Sequence, residues 1–600
     1  MKGAARVRNA DWAVCSLIVA LGVLQFMLPQ KGSEFVRGDT VYIEIARSIL
    51  ERGTYRLDFN DVMYPPGLPA LLALLWAMLG DSHELLVRSM ALFEVLALVA
   101  AYDLVRREAG RAAAAAICLL VASSPDLFAL STQWVYSDLP FFFTSMATLL
   151  VAHRLERADT PRTRLALGVL CAILLLCSLL LRSSGVALLA GMGAWLAIAS
   201  ALGEATTRGR RLKAFAGALL VGVVFQAAWM AWVATHETVE WPMLEGHPRT
   251  YLSQFKVKSG VTPELGTASV TDVIARVPTN LAARARGLAE LVTHHYVDPA
   301  WHSPPVLGAV LLIALGLRAS LRPAGGGLAE WYFMAHEAMY LTWPWPFETR
   351  FLIPVAPLAC LYLWRGTAVV LRAFTQAPRT LAVVGMPIGL AAGAAALVSA
   401  AGTGSAQAKL AVVVWSIVVA ASAGLLARPA AVATLATTPW WSDRSTRMPL
   451  AQAAVAVIVA GLFAWGVRQQ LDIGQQNLAF NVKVHPLYGR VLAARWIDQH
   501  TAGSSVVMAR QLDVVHHHAN RKVVWLAPLS DSKVLMDGVE RLQADYVLTT
   551  NFWNYYLPSE DDSVAALVKR YPQALRIVQE ESNWRIYVVV HGGTSRGELH

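Results

Sequence analysis

Residues 34–80 read EFVRGDTVYIEIARSILERGTYRLDFNDVMYPPGLPALLALLWAMLG, and the reading of this stretch decides the fold. Its first half is too polar to cross a bilayer, yet Ile43, Ala46, Ile49 and Leu50 recur at helical spacing. That pattern predicts an amphipathic helix lying on a membrane face, with Asp39 just before or at its start. Tyr64-Pro65-Pro66-Gly67 then breaks the chain and starts a second, apolar helix. At about fifteen residues that helix is short for a crossing and reads as re-entrant or interfacial.

The rest of the chain supplies the membrane. Of 600 residues, 56% are hydrophobic and 15% charged, with a mean hydropathy of +0.45. Soluble chains carry about 25% charged residues, so a disordered tail, a nucleic-acid-binding array and a disulfide-rich secreted module are excluded. The apolar residues fall in long runs. The first, Trp12 to Leu28, follows Lys2, Arg6 and Arg8 without a small-x-small cleavage site, and reads as an uncleaved span. Further spans are predicted at 85–105, 112–127, 138–152, 164–181, 185–202, 213–234, 303–318, 330–343, 350–365, 380–400, 409–427 and 449–467, about thirteen in all. Cys15, Cys118, Cys171, Cys177 and Cys360 lie inside apolar stretches without a CxxC pair and read as buried apolar residues.

Charge gives the topology. Alternate connections carry Arg106, Arg107 and Arg111; Arg154, Arg157, Arg162 and Arg164; Arg208, Arg210, Arg211 and Lys213; then Arg318, Arg322, Arg365, Arg372, Arg379, Arg428, Arg444 and Arg447. The connections 128–137 and 401–408 carry no Lys or Arg. By the positive-inside rule the basic set is cytoplasmic, as is the N-terminus. Much of the +10 net charge is therefore a topology signal, and no nucleic-acid partner is implied. Two long loops, 30–84 and 235–302, fall on the extracytoplasmic side, as does everything after 468.

Two units are expected: a transmembrane unit over 1–468 and a soluble extracytoplasmic α/β unit over 469–600. In the second, 504–509, 522–527, 544–550, 575–580 and 584–590 read as strands, with helical patterns at 487–500, 531–543 and 561–571.

The 37–69 segment resembles the first extracytoplasmic loop of the GT-C class of integral-membrane glycosyltransferases. More closely, it resembles the branch containing protein O-mannosyltransferases and the bacterial aminoarabinose transferases that modify lipid A. The matching elements are Asp39, Tyr42, LERGTY (50–55) and PPGLP (65–69). The resemblance implies a polytopic helical fold of about thirteen spans with an outward-facing C-terminal domain, and the Leu/Ala-rich spans fit a bacterial inner (plasma) membrane. It also implies transfer of a sugar, with inversion, from a polyprenyl-phosphate-linked donor to a hydroxyl of a lipid, glycan or protein acceptor. Asp39 then corresponds to the aspartate that deprotonates the acceptor, and Asp138, in WVYSDLPFFF (134–143), to a second acidic residue common in the branch. The aminoarabinose branch usually has a lysine near the Pro-Pro turn, where this chain has Tyr64, so that cation does not carry over.

Such chemistry needs a base near the acceptor and cations for the departing phosphate. Arg182, in LLLRSSG (179–185), and Arg350, in PFETRFLIP (346–354), are predicted at the outer ends of spans and read as phosphate ligands, with Glu348 beside the second. Tyr42 and Tyr64 are candidate substrate contacts. Lys256 and Lys258, with His247 and Tyr251, read as a lid over a sugar phosphate or as a solvated loop. His294–His295 and His516–His518 lack metal-ligand spacing. No Asp-x-Asp pair follows the third span, so no cofactor is expected, with a divalent metal left open. The competing reading is a transporter or lipid-carrier flippase, in which broken helices meet at midplane charges.

Overall fold

The computed structural model describes residues 2–28, 40–57, 60–61, 64–80, 82–202, 205–235, 254–260, 265–294, 304–321, 326–345, 348–376, 448–479, 488–551, 558–591 and 594–595. The expected spans at 380–400 and 409–427 lie outside these residues, as do Asp39, His247, Tyr251 and His295.

The chain is mostly helical, with a small C-terminal sheet. Helix α1 (Lys2–Met27) is followed by α2 (Thr40–Arg52), a two-residue hairpin β1 (Arg56–Leu57) and β2 (Asn60–Asp61), and α3 (Gly67–Leu79). Both sequence expectations for this loop hold: α2 begins one residue after Asp39, and α3 begins at the Pro-Pro-Gly break. Then come α4 (His83–Ala109), α5 (Arg111–Ala122), α6 (Pro125–Gln133), α7 (Asp138–Glu156), α8 (Pro161–Leu181), α9 (Gly185–Leu202) and α10 (Ala205–Thr235). Helices α11 (Val270–Thr293), α12 (Pro304–Ser320), α13 (Leu328–Leu341), α14 (Ala356–Gln376) and α15 (Met448–Ala479) complete the helical part.

Among the described residues, four helical segments are long and apolar enough to cross a membrane: His83–Ala109, Pro161–Leu181, Arg211–Thr235 and Thr349–Val370. The bent pair α5–α6, with 53° between its halves, raises this to five. The chain is a multi-pass membrane protein, and the expected count of about thirteen is not confirmed among the described residues. Asp11–Met27, Gly67–Leu79, Gly185–Ile198 and Leu307–Ser320 are apolar but shorter. Buried α7 carries Thr144, Ser145 and Thr148, whose hydroxyls donate back to carbonyls three or four residues earlier. That satisfies them inside the bundle while lowering the mean hydropathy of this helix, which the sequence expected as the span 138–152.

Close packing and polar stitching hold the bundle together. Helices α12 and α14 cross at Gly316 and Gly366, where an added Cβ would lie 1.9 Å from the carbonyl oxygen of Tyr362 or Leu312. The α5–α6 break frees backbone carbonyls, and Gln470 of α15 donates to those of Ala122 (2.8 Å) and Ser124 (3.2 Å).

The basic connections gather at one end of the bundle. Asp11 receives Arg111 at 2.9 Å and Tyr102 at 2.8 Å. Asp103 receives Arg154 at 2.7 Å and Arg107 at 3.1 Å. Glu108 joins Arg365 at 2.9 Å, and Glu156 joins Arg211 at 2.9 Å. Connections far apart in sequence thus meet, as the alternating charge pattern requires. Helix α7 runs from Asp138 to Glu156, about 27 Å at 1.5 Å per residue, close to the hydrocarbon thickness of a bilayer. Asp138 therefore marks the opposite end.

The C-terminal part is α16 (Tyr488–His500), β3 (Val506–Ala509), α17 (Leu512–Ala519), β4 (Lys522–Trp525), α18 (Ser532–Arg541), β5 (Tyr546–Thr550), α19 (Glu560–Arg570), β6 (Leu575–Glu581), β7 (Trp584–His591) and β8 (Thr594–Ser595). The sheet order is β4-β3-β5-β7-β6, with β8 on β7. Strands β4, β3 and β5 are parallel, and β7 is antiparallel to β5 and β6. Alternation sends Met508, Val524 and Val547 to one core, with Leu535, Val539 and Leu567. Val507, Val523 and Tyr546 go to the other, with Ala494, Ile497 and Val515. All five strand expectations hold. Helix α17, which holds His516–His518, was not expected.

Candidate active site

The site is built at the Asp138 end from three separate stretches. Pro161–Leu181 ends at Arg182, whose extended backbone turns the chain toward α9. The Ser137–Asp138 pair starts α7 beside it. The Arg182 guanidinium lies 2.9 Å from the buried Asp138 carboxylate and donates to the Ser137 hydroxyl at 3.1 Å. Neither Asp138 oxygen receives an aligned hydrogen bond among the described residues.

The third stretch is the turn Thr349–Phe351, which leads into α14 through a second short turn, Ile353–Val355. It places Phe351 under two cations. Arg182 lies 5.3 Å and Arg350 4.9 Å from the centre of that ring. Arg350 also covers Tyr136 at 4.4 Å and pairs with Glu348. Two guanidiniums against one face-bearing ring repel each other, and the carboxylates of Asp138 and Glu348 offset part of that. An anion between them would offset more.

Helix α2 supplies the wall facing these cations. Tyr42 and Tyr64 lie with ring centres 5.4 Å apart, and Tyr55 donates its hydroxyl to the Tyr64 carbonyl. Burial pushes the Tyr42 hydroxyl pKa up, against the opposing pull of Arg182 and Arg350, and the same hydroxyl interacts with Ser137. Tyr42, Tyr64, Asp138, Arg182, Glu348 and Arg350 are therefore one neighbourhood.

Lys256 and Lys258 are not part of it. Both are exposed on a small hairpin closed by the Val257–Thr267 bridge, with Lys258 3.9 Å from Asp272. Arg276 of α11 clamps this hairpin by donating to the Val257 carbonyl and to that of Thr342 at 3.0 Å. Among the described residues neither lysine contacts Arg182 or Arg350. Helix α11 itself lies inside the expected loop 235–302, capped by a reciprocal Ser269–Asp272 pair.

Sequence reading missed the aromatic support and a second ion cluster. Tyr340 stacks on Phe351 with centres 5.3 Å apart, and Arg284 lies 5.1 Å from the Tyr340 ring. Arg284 pairs with Glu337, which also meets His336 at 3.5 Å. The adjacent letters Arg350-Phe351 and Tyr136-Ser137-Asp138 were the available signal. Among the described residues, no group of three His, Cys, Asp or Glu side chains is placed to hold a metal.

No family model and no curated protein matches the sequence. Solved structures do match. ArnT from Cupriavidus metallidurans bound to undecaprenyl phosphate aligns with a TM-score of 0.52 at 15% identity, covering 97% of this chain and 99% of that one. Its apo form aligns at 0.51 and 15%, covering 98% and 99%. The chain thus shares the fold of these two structures, which align with 97–98% of it.

Proposed function

We propose that this chain is a membrane glycosyltransferase that moves a sugar, with inversion, from a polyprenyl-phosphate-linked donor to an acceptor hydroxyl on the extracytoplasmic face. The observation that carries the reading is the placement of Arg182 and Arg350 over Phe351, with Asp138 buried against Arg182. The ArnT-like fold, and the undecaprenyl phosphate bound in that protein, support it. The end of the bundle opposite the paired arginines of Arg106, Arg111 and Arg154 is the extracytoplasmic one by the positive-inside rule.

In this mechanism the acceptor oxygen attacks the anomeric carbon from the face opposite the phosphate. The bond between that carbon and the phosphate oxygen breaks, and its electron pair stays on the phosphate. Arg182 and Arg350 take the charge that grows there. Asp39, the residue before α2, takes the acceptor proton. Asp138 is buried and committed to Arg182, which suits holding that guanidinium in place. Tyr42 and Tyr64 line the sugar side.

The test is binding and turnover in nanodiscs. Undecaprenyl phosphate should bind the wild-type protein, and at least tenfold more weakly the Arg182→Gln and Arg350→Gln variants. Movement of an intact polyprenyl-phosphate sugar across proteoliposomes, with no sugar released, would replace this reading by that of a flippase.

A further inference from the structure

Helix α2 has two buried faces. One carries Tyr42, Ile43, Ala46 and Ile49 and packs into the helical bundle beside the arginines. The other carries Ile45, which is fully buried in a separate cluster with Val41, Tyr55, Tyr64 and Leu512. Leu512 belongs to α17 of the C-terminal sheet unit, and the same helix sends His517 onto Glu44. Both of those side chains are nearly buried, at 10% and 12% exposure. Arg47, at 3.2 Å, is the second partner of Glu44.

We infer that α17 is a positioning element for the site: His517 on Glu44, and Leu512 on Ile45, Tyr55 and Tyr64, hold α2 so that Tyr42 faces Arg182 and Arg350. The inference rests on the donor reading above and adds a role for the C-terminal unit. Tyr64 is the shared part, since its ring meets Tyr42 on one side while its cluster meets Leu512 on the other. A short amphipathic helix on a membrane face is weakly held by itself. Burying its second face against α17 supplies tertiary contacts that its thirteen residues lack alone. Truncating one member of a buried charged pair leaves the other without its partner, so the contact is sensitive to single changes.

The experiment uses the full-length protein in nanodiscs and reads two quantities. Hydrogen exchange is followed over residues 40–52, and the dissociation constant is measured for undecaprenyl phosphate. His517→Ala and Glu44→Gln should each speed α2 exchange about tenfold and weaken lipid binding by a similar factor. The thermal midpoint of the helical bundle should stay fixed. The swap of Glu44→His with His517→Glu should restore both readouts, which would not happen if the single changes acted through anything other than this pair. Unchanged α2 exchange in His517→Ala overturns the inference, and so does faster exchange with unchanged lipid affinity. A wild-type protein that fails to bind undecaprenyl phosphate overturns the donor reading instead, while the exchange data still decide whether α17 holds α2.

Discussion

Asp138 and Arg182 form a pair, 2.9 Å apart, in which the carboxylate is fully buried and the guanidinium nearly so. Each comes from a different helix end, Asp138 from the first residue of α7 and Arg182 from the residue after α8. The pair therefore pins the ends of two helices together and aims one cation into the site. Removing either member strands a buried charge. Asp138→Asn and Arg182→Ala should each lower stability by about 3 kcal/mol, and the double variant by clearly less than the sum. Thermal unfolding in detergent measures this; full additivity would show that the two groups are not coupled.

Phe351 supports both arginines with one ring, so its loss should act on ligand binding more than on folding. Phe351→Leu keeps most of the apolar volume but removes the aromatic face. At about 0.5–1 kcal/mol for each of the two cation–ring contacts, undecaprenyl phosphate should bind roughly five to thirtyfold more weakly. The melting temperature should change little.

Asp39 is assigned to the proton and not to the phosphate. Asp39→Asn should lower turnover about a hundredfold or more, with undecaprenyl phosphate affinity unchanged. A fall in both would move Asp39 from base to donor contact.

The α2–α17 contact should fail in acid. Burial alone would raise the pKa of Glu44, but the hydrogen bond from His517, then the charges of His517, Arg47 and His516, hold it below the ordinary glutamate value. A carboxyl depressed on folding stabilises the contact above its unfolded pKa, and that stabilisation is lost as pH falls through the lower folded value. His516, whose charging burial opposes, adds to the loss as it is forced to protonate. Spin labels at the exposed positions Glu51 and Lys522 should report a narrow distance at neutral pH and a broad one once the pH falls below the ordinary glutamate range.

The helix pair α12–α14 has no room at its crossing. Gly366→Ala should cost about 1–3 kcal/mol by overpacking, because the added methyl meets the Leu312 carbonyl and not a movable side chain. The site turn at Thr349–Phe351 leads into α14, so lipid affinity should fall with it.

The local features of the fold were legible because local chemistry fixes them. The start of α2 follows Asp39, α3 starts at Pro-Pro-Gly, and β3, β4 and β5 are short apolar runs buried almost throughout. The gathering of Arg106, Arg111, Arg154 and Arg365 at one end was also legible, since a bilayer forces alternate connections together. Within the site, arginines at span ends and tyrosines of the first loop could be named in advance because charges are scarce there. Their support could not. Phe351 under Arg182 and Arg284 on Glu337 are meetings across long sequence separations, and an aromatic ring in a membrane protein looks the same whether it faces lipid or a guanidinium. The lysines at 256 and 258 could be named from their charge, but not their setting, exposed on a hairpin that Arg276 anchors.

The central claim is transfer of a sugar from a polyprenyl phosphate, and the most direct measurement is donor consumption. Purified protein would be incubated with a panel of polyprenyl-phosphate sugars and candidate acceptors, with mass spectrometry following donor, free polyprenyl phosphate and product. The account predicts that one donor is converted to polyprenyl phosphate with a new glycosidic bond on the acceptor, and that Arg182→Gln, Arg350→Gln and Asp39→Asn lose this conversion. Binding of every donor with no bond broken, in a protein that still moves the lipid across a bilayer, would contradict it.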